Sequence, residues 1–300
     1  MKKTQLILAA GLVLCAALPA AAQRSFASPE EGSKALADAV RTGEGKNVIA
    51  IFGEKSKPWI FTGDAVSDRA DWTAFLAAYD KKNKLVKEGD AKATINVGDD
   101  DWPFPAPLVK AKDGKWAFDA ETGREEVINR RVGRNELDTI QTLLAVVDAQ
   151  REYATSDADG NGSTDYAKKF ISTKGKKDGL YFETAAGAPQ SPLGPLVGVA
   201  AKEGYPGTNP GGPYHGYQYR MLMSQGKDAA GGAYSYLVKD RMMGGFAVVA
   251  FPEKYGVSGV KTFVVNHDGV VYEKDLGAGT AAAAAAIKAY NPDKTWQKVQ

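Results

Sequence analysis

The sequence predicts an α+β protein of two units, and three observations carry that expectation. Helical spacing of apolar residues gives way to short alternating runs separated by turn residues, and this succession occurs twice. The length of 300 residues leaves room for two domains at about 150 residues each. A balance of 44% hydrophobic and 25% charged residues is that of a globular chain and excludes a disordered or collagenous one. The expected boundaries are a signal peptide over residues 1–22, then an N-terminal α+β domain over 23–120 with helices on an antiparallel sheet. Residues 121–300 should form a long helix packed on a second, Gly-rich antiparallel sheet.

Met1 to Ala22 has the three parts of a secretory signal: Lys2 and Lys3, the apolar stretch Leu6 to Leu18, and Ala20-Ala21-Ala22 before Gln23. That stretch falls short of the about 20 residues a membrane span needs, and no later segment reaches that length. A lipoprotein use of Cys15 is opposed by the bulky Leu14 before it. The chain is therefore expected to be periplasmic or secreted, without a transmembrane segment once the signal is removed. Cleavage takes two Lys and the single Cys with it. The mature chain is then charge-balanced and cysteine-free, which excludes disulfides, thiolate catalysis and Cys-based zinc sites. The net charge of +2 on the whole chain gives no basic excess for a nucleic-acid partner.

Ser28-Pro29-Glu30-Glu31 reads as a capping box with Pro in the first turn, and Ala35, Leu36, Ala39 and Val40 continue the helix to Gly43. Asn47 to Phe52 is an apolar run too short to assign to helix or strand. After Asp64, the spacing of Trp72, Phe75, Leu76 and Tyr79 puts them on one helix face. Strands are expected over Lys84–Glu88, Ala91–Val97, Pro107–Ala111 and Lys115–Asp119, with Gly89-Asp90 and Asp113-Gly114 as hairpin turns. Four of the five Trp fall in this unit and should centre one core. Thr122 to Ala154 is the longest helical signal, with Leu137, Ile140, Leu144 and Val147 as its apolar face. Beyond Lys174 the density of Gly and Pro predicts loops and short strands. Tyr234–Val238, Gly245–Phe251, Lys261–Asn266 and Val270–Lys274 read as strands. Thr280 should cap a closing helix from Ala281 to Tyr290.

Asp157-Ala158-Asp159-Gly160-Asn161-Gly162-Ser163-Thr164-Asp165 is the one stretch with ligand spacing. Asp157, Asp159, Asn161 and Asp165 occupy positions one, three, five and nine of a calcium loop, with Gly162 at the turn. Position twelve, where a bidentate acid closes the shell, is Lys168. Two readings fit: a loose calcium loop, or a plain Asx/Gly turn after the helix. Of the two histidines, His267 reads as part of a tight turn before Asp268-Gly269, whereas His215 lies among Tyr214, Tyr217 and Tyr219 and is the better candidate. No Gly-x-Ser-x-Gly elbow, His-Glu-x-x-His helix or phosphate-cradling loop occurs. Asp99-Asp100-Asp101 reads as a solvated loop. Arg130, Arg131 and Arg134, flanked by Glu125, Glu126, Glu136 and Asp138, read as members of internal salt bridges.

Asp101 to Pro105, Asn129-Arg130-Arg131-Val132-Gly133-Arg134-Asn135-Glu136-Leu137, Asp148 to Tyr153, Asp178 to Tyr181, Gly212 to Tyr217 and Asn266 to Asp275 together resemble the exported bacterial family called domain-of-unknown-function 2950. The resemblance covers nearly the whole mature chain. It implies an envelope location and brings no activity to any residue. The first half is also similar in pattern to cystatin-like or nuclear-transport-factor-like folds. In the second half, a helix, an Asp/Gly/Asn loop, Gly216-Tyr217-Gln218-Tyr219 and a late hairpin resemble pilin and pseudopilin heads. Unlike a pilin's helix, this one is internal and rich in arginine.

The function expected from these features is that of a binding or envelope-associated accessory protein without catalytic machinery, whose partner is an envelope protein or a small molecule. A small-ligand pocket lined by Trp and Phe in the N-terminal unit is one alternative. A hydrolase using scattered carboxylates or His215 is the other.

Overall fold

Ser28 is extended, and its hydroxyl accepts the Glu31 N–H at 3.1 Å while Glu31 reaches back to the Ala27 N–H at 2.9 Å. This cap starts α1 (Pro29–Arg41), the first element of a computed structural model that describes residues 23–206 and 212–299. The signal peptide read over residues 1–22 lies outside the described residues. The ambiguous apolar run is helical, as α2 (Gly45–Phe52), followed by the short α3 (Lys57–Ile60). Asp64 caps α4 (Ala65–Lys81) by accepting the Val66 and Ser67 N–H groups.

The chain then alternates. β1 (Asn83–Glu88), β2 (Lys92–Val97), β3 (Trp102–Pro103), β4 (Leu108–Lys110) and β5 (Trp116–Phe118) form an antiparallel sheet in the order β1-β2-β4-β5, with β3 also on β2. Alternation fixes the buried face: Ala93, Ile95 and Val97 of β2 are almost fully covered. They join Phe26, Leu36, Ile51, Phe52, Trp59, Leu108 and Phe118 in the first core. The four Trp do not all fill it. Trp59 and Trp116 are buried, but Trp72 is half-buried and Trp102 is 42% exposed.

Asp119 caps α5 (Ala120–Tyr153), a helix of 34 residues. Its second turn approaches the loop before β4 so closely that a Cβ on Gly123 would lie 2.5 Å from the Cβ of Ala106. Of the apolar face expected on it, Val147 is buried and Ile140 and Leu144 pack against the second core, but Leu137 is 66% exposed. The covered stripe runs Arg131, Asn135, Thr139, Leu143, Val146, Val147, Gln150 and Tyr153. It is polar where α5 passes between the two units and apolar where it lies on the second sheet.

The Gly- and Pro-rich stretch contains an unanticipated helix, α6 (Gly194–Glu203), with Pro in its first turn and Gly204 as a left-handed cap. The remaining strands are β6 (Tyr217–Leu222), β7 (Ser224–Gln225), β8 (Tyr234–Ser235), β9 (Leu237–Val238), β10 (Arg241–Met242), β11 (Ala247–Pro252), β12 (Lys261–Asn266) and β13 (Tyr272–Asp275). A short helix α7 (Thr280–Ala286) and β14 (Gln297–Lys298) end the chain. The second sheet is antiparallel in the order β14-β13-β12-β11-β6, and β7–β8 and β9–β10 are two-stranded ribbons. Leu143, Val146 and Val147 of α5 share its core with Tyr217, Phe246, Val248 and Phe263. The closing helix stops at Ala286, short of the expected Tyr290, because the Arg220 guanidinium takes the Ala284 and Ile287 carbonyls at 2.8 Å each. Tyr290 then donates to the Ser224 carbonyl instead of continuing the helix. The whole is an α+β fold, helices and antiparallel sheets in both halves.

Candidate functional site

Helix α4 carries an apolar face, Trp72, Phe75, Leu76 and Tyr79, yet the only buried residue in its 17 is Asp68. The reason is a gap beneath it. A cavity of about 350 Å³ lies between α1, α2, α4, the Phe104 loop and the third to fifth turns of α5. Such a volume falls within the range of small-molecule sites. Its wall is mostly apolar and carries a run of aromatic rings: Phe52 packs on Trp59 with centroids 5.7 Å apart, and Phe104 bridges Phe52 at 6.4 Å and Phe75 at 5.2 Å. Val127 and the alkyl stems of α5 arginines close the remaining side.

At the mouth, Arg130 lies over the Trp102 ring at 4.6 Å, and its Nε donates to Glu126 at 2.7 Å. Arg134 grips Asp71 with both terminal nitrogens, at 2.8 and 3.2 Å. These two arginines form the salt bridges expected of them. Arg131 does not. It is 7% exposed, its Nη1 donates to the Trp59 carbonyl at 2.9 Å, and its buried Nε has no acceptor. Burial pulls this guanidinium below its ordinary value, and the charges of Asp71 and Asp68 act against that shift. The carboxylate of Asp68 is itself taken by Thr62, whose hydroxyl donates at 2.8 Å, while burial pushes this acid above its ordinary value.

His215 lies outside this cavity. With φ at +50°, it precedes Gly216 at +74°, and its ring is held by Asp138 on Nδ1 at 2.9 Å and Glu203 on Nε2 at 3.0 Å. Both ring nitrogens thus face carboxylates, and neither faces a hydroxyl or thiol nucleophile. Beneath it, Asp64 uses its second oxygen to accept the Tyr205 hydroxyl at 2.8 Å and the Gly216 N–H at 3.0 Å. Burial, and then the Asp64 charge, push the Tyr205 phenol far up, so it stays a donor. Asp64 is 2% exposed and joins the cap of α4 to a loop of the second half. In the sequence, Asp64 marks only the residue after which the helix begins.

The structure brings Asp157, Asp159, Asn161 and Asp165 together. Asp157 accepts the N–H groups of Asn161 and Gly162 at 2.8 and 2.9 Å. The Asn161 amide donates to Asp159 at 3.0 Å and Asp165 at 3.2 Å. Lys168 turns away to Asp240. Among the described residues, no three His, Cys, Asp or Glu side chains form a group that could hold a metal ion. The Asp99–Asp101 loop is neutralised by Lys81, Lys82 and Lys84. His267 packs edge-on against Tyr236 at the turn before Gly269.

The motif around Arg131 also joins the halves. Asn135 donates to the Ser258 carbonyl at 2.8 Å, and one oxygen of Glu136 accepts the Val260 and Lys261 N–H groups at 2.9 Å each. Comparison with known proteins gives one family model, described as Protein of unknown function (DUF2950), which matches residues 23–299. No curated protein and no solved structure matches the chain, so the resemblance of the second half to pilin heads rests on sequence pattern alone.

Proposed function

The chain belongs to the DUF2950 family, and from that premise we propose that it is an exported binding protein whose N-terminal unit takes up a small, predominantly apolar molecule. The observation that carries this reading is the cavity under α4. No hydrophobic residue of α4 is fully buried: Trp72 and Phe75 pack only partly on the first core and also line a space of about 350 Å³. Export is supported by Lys2, Lys3, the apolar stretch and the Ala20–Ala22 site. Fractionation of cells followed by N-terminal sequencing tests it, with Gln23 expected first on material outside the cytoplasm.

The pocket is tested with the neutral fluorophore N-phenyl-1-naphthylamine. Saturable fluorescence enhancement with one site per chain is expected, together with its loss in Ala78→Phe, which puts a ring into the cavity from α4. Enhancement that is absent, or that survives Ala78→Phe in a variant with wild-type circular dichroism, refutes the pocket.

A further inference from the structure

We infer that the occupant of this cavity is an organic monocarboxylic acid with an apolar body, its carboxylate held by Arg131. The inference rests on the pocket proposed above and adds the chemistry of the head group. Arg131 lines the cavity and is 7% exposed, and it makes one hydrogen bond, from Nη1 to the Trp59 carbonyl. Its Nε–H is buried without an acceptor. A guanidinium has five N–H donors and does not give up its proton in proteins, so Arg131 holds a charge that burial penalises.

The acids nearby do not neutralise it by contact. Asp71 is held bidentately by Arg134, and Asp68 by the N–H and hydroxyl of Thr62. Glu126 is taken by Arg130. Two of the three arginines at this site are therefore matched within the protein, and the third, the most deeply placed, is left for a ligand. A carboxylate presents two oxygens in the plane that a guanidinium fork fits. Charge count selects a single negative charge. One arginine is free, whereas Asp71 also lines the cavity and would repel the second charge of a phosphate monoester.

The test is calorimetric titration of the full chain at pH 7 with three compounds of one body: 4-phenylbutanoate, 4-phenylbutan-1-ol and 4-phenylbutan-1-amine. The carboxylate is expected to bind about tenfold to a hundredfold more tightly than the alcohol, and the amine more weakly than either. Arg131→Met should bring the carboxylate down to the affinity of the alcohol and leave the alcohol within about threefold of wild type. Arg131→Lys, which keeps the charge and loses the fork, should retain part of the advantage. Equal affinities in the wild type, or an advantage that survives Arg131→Met, overturn the acid while leaving the pocket in place. Binding of none of the three at millimolar concentration overturns both. If Arg131→Met does not fold, the wild-type series and Arg131→Lys decide, and the inference falls if the carboxylate has no advantage over the alcohol.

Discussion

Replacing Asp64 by Ala removes four hydrogen bonds at once, two inside α4 and two across to the second half. The cap on Val66 and Ser67 is worth about 1 kcal/mol. The bonds to the Tyr205 hydroxyl and Gly216 N–H are made to a charged, almost fully buried carboxylate, and each contributes about 1.5–3 kcal/mol. The expected loss is therefore on the order of 4–7 kcal/mol, a large share of the 5–15 kcal/mol of a typical fold. For a chain of this size it corresponds to a fall of about 8–28 °C in Tm. Urea unfolding followed by Trp fluorescence and far-UV circular dichroism measures it, with the denaturant slope as a check that the same surface is exposed. Tyr205→Phe removes one of the shared bonds, so the double variant should cost about 1.5 kcal/mol less than the two single losses together. Strict additivity, or an Asp64→Ala cost no greater than that of a cap, would refute the reasoning that this residue ties the halves together.

Asp178 gives a pH signature. Burial by itself would raise its carboxyl, but Lys169 at 2.7 Å, with the Thr173 N–H and hydroxyl, holds it down to about 2. A depressed acid contributes stability that is present above its unfolded value near 4 and is lost as pH falls through about 2. Discounted for a partly exposed pair, Asp178→Asn should cost about 1 kcal/mol at pH 7, and the difference from wild type should vanish towards pH 2 in acid titrations of stability. For the Asp157–Asp165 loop, millimolar calcium should leave Tm unchanged in the wild type and in Asp157→Ala alike, and a rise confined to the wild type would show a bound ion. An unchanged wild-type Tm counts against calcium and leaves the Asx turn, already closed by Asn161, as its role.

What the sequence made legible was local. Ser28 with Glu31, Asp64 before α4, and the Gly89-Asp90 and Asp113-Gly114 turns act on backbone groups within a few residues, so their chemistry can be read along the chain. The runs flanked by these signals became the strands of the first sheet to within a few residues. Asn47 to Phe52 stayed ambiguous because a run of five apolar residues fits either period, and α2 was settled by packing of Val48, Ile49, Ile51 and Phe52 into the core. α6 went unseen although Pro195 and Gly204 are helix-boundary residues, because Gly194 and Gly198 masked its periodicity. The buried stripe of α5 could not be chosen from spacing alone, since its middle is Arg131, Asn135 and Thr139 and reads as a solvent face until the partners are placed. The pocket's aromatic lining was anticipated, but Arg131 was grouped with arginines that find acids. Only the geometry separates it from Arg130 and Arg134.

Helix α5 also governs how the molecule can be divided. Residues 24–118 contain every strand of the first sheet, and a cut at residue 120 looks natural from the pattern alone. Such a fragment would lack Val127, Arg130, Arg131 and Arg134, one whole wall of the cavity, and would open Phe52 and Trp59 to water. The helix is thus a shared beam and not a hinge. Modular reuse of the N-terminal unit, in a fusion or by recombination between relatives, must carry the first five turns of α5 along with it.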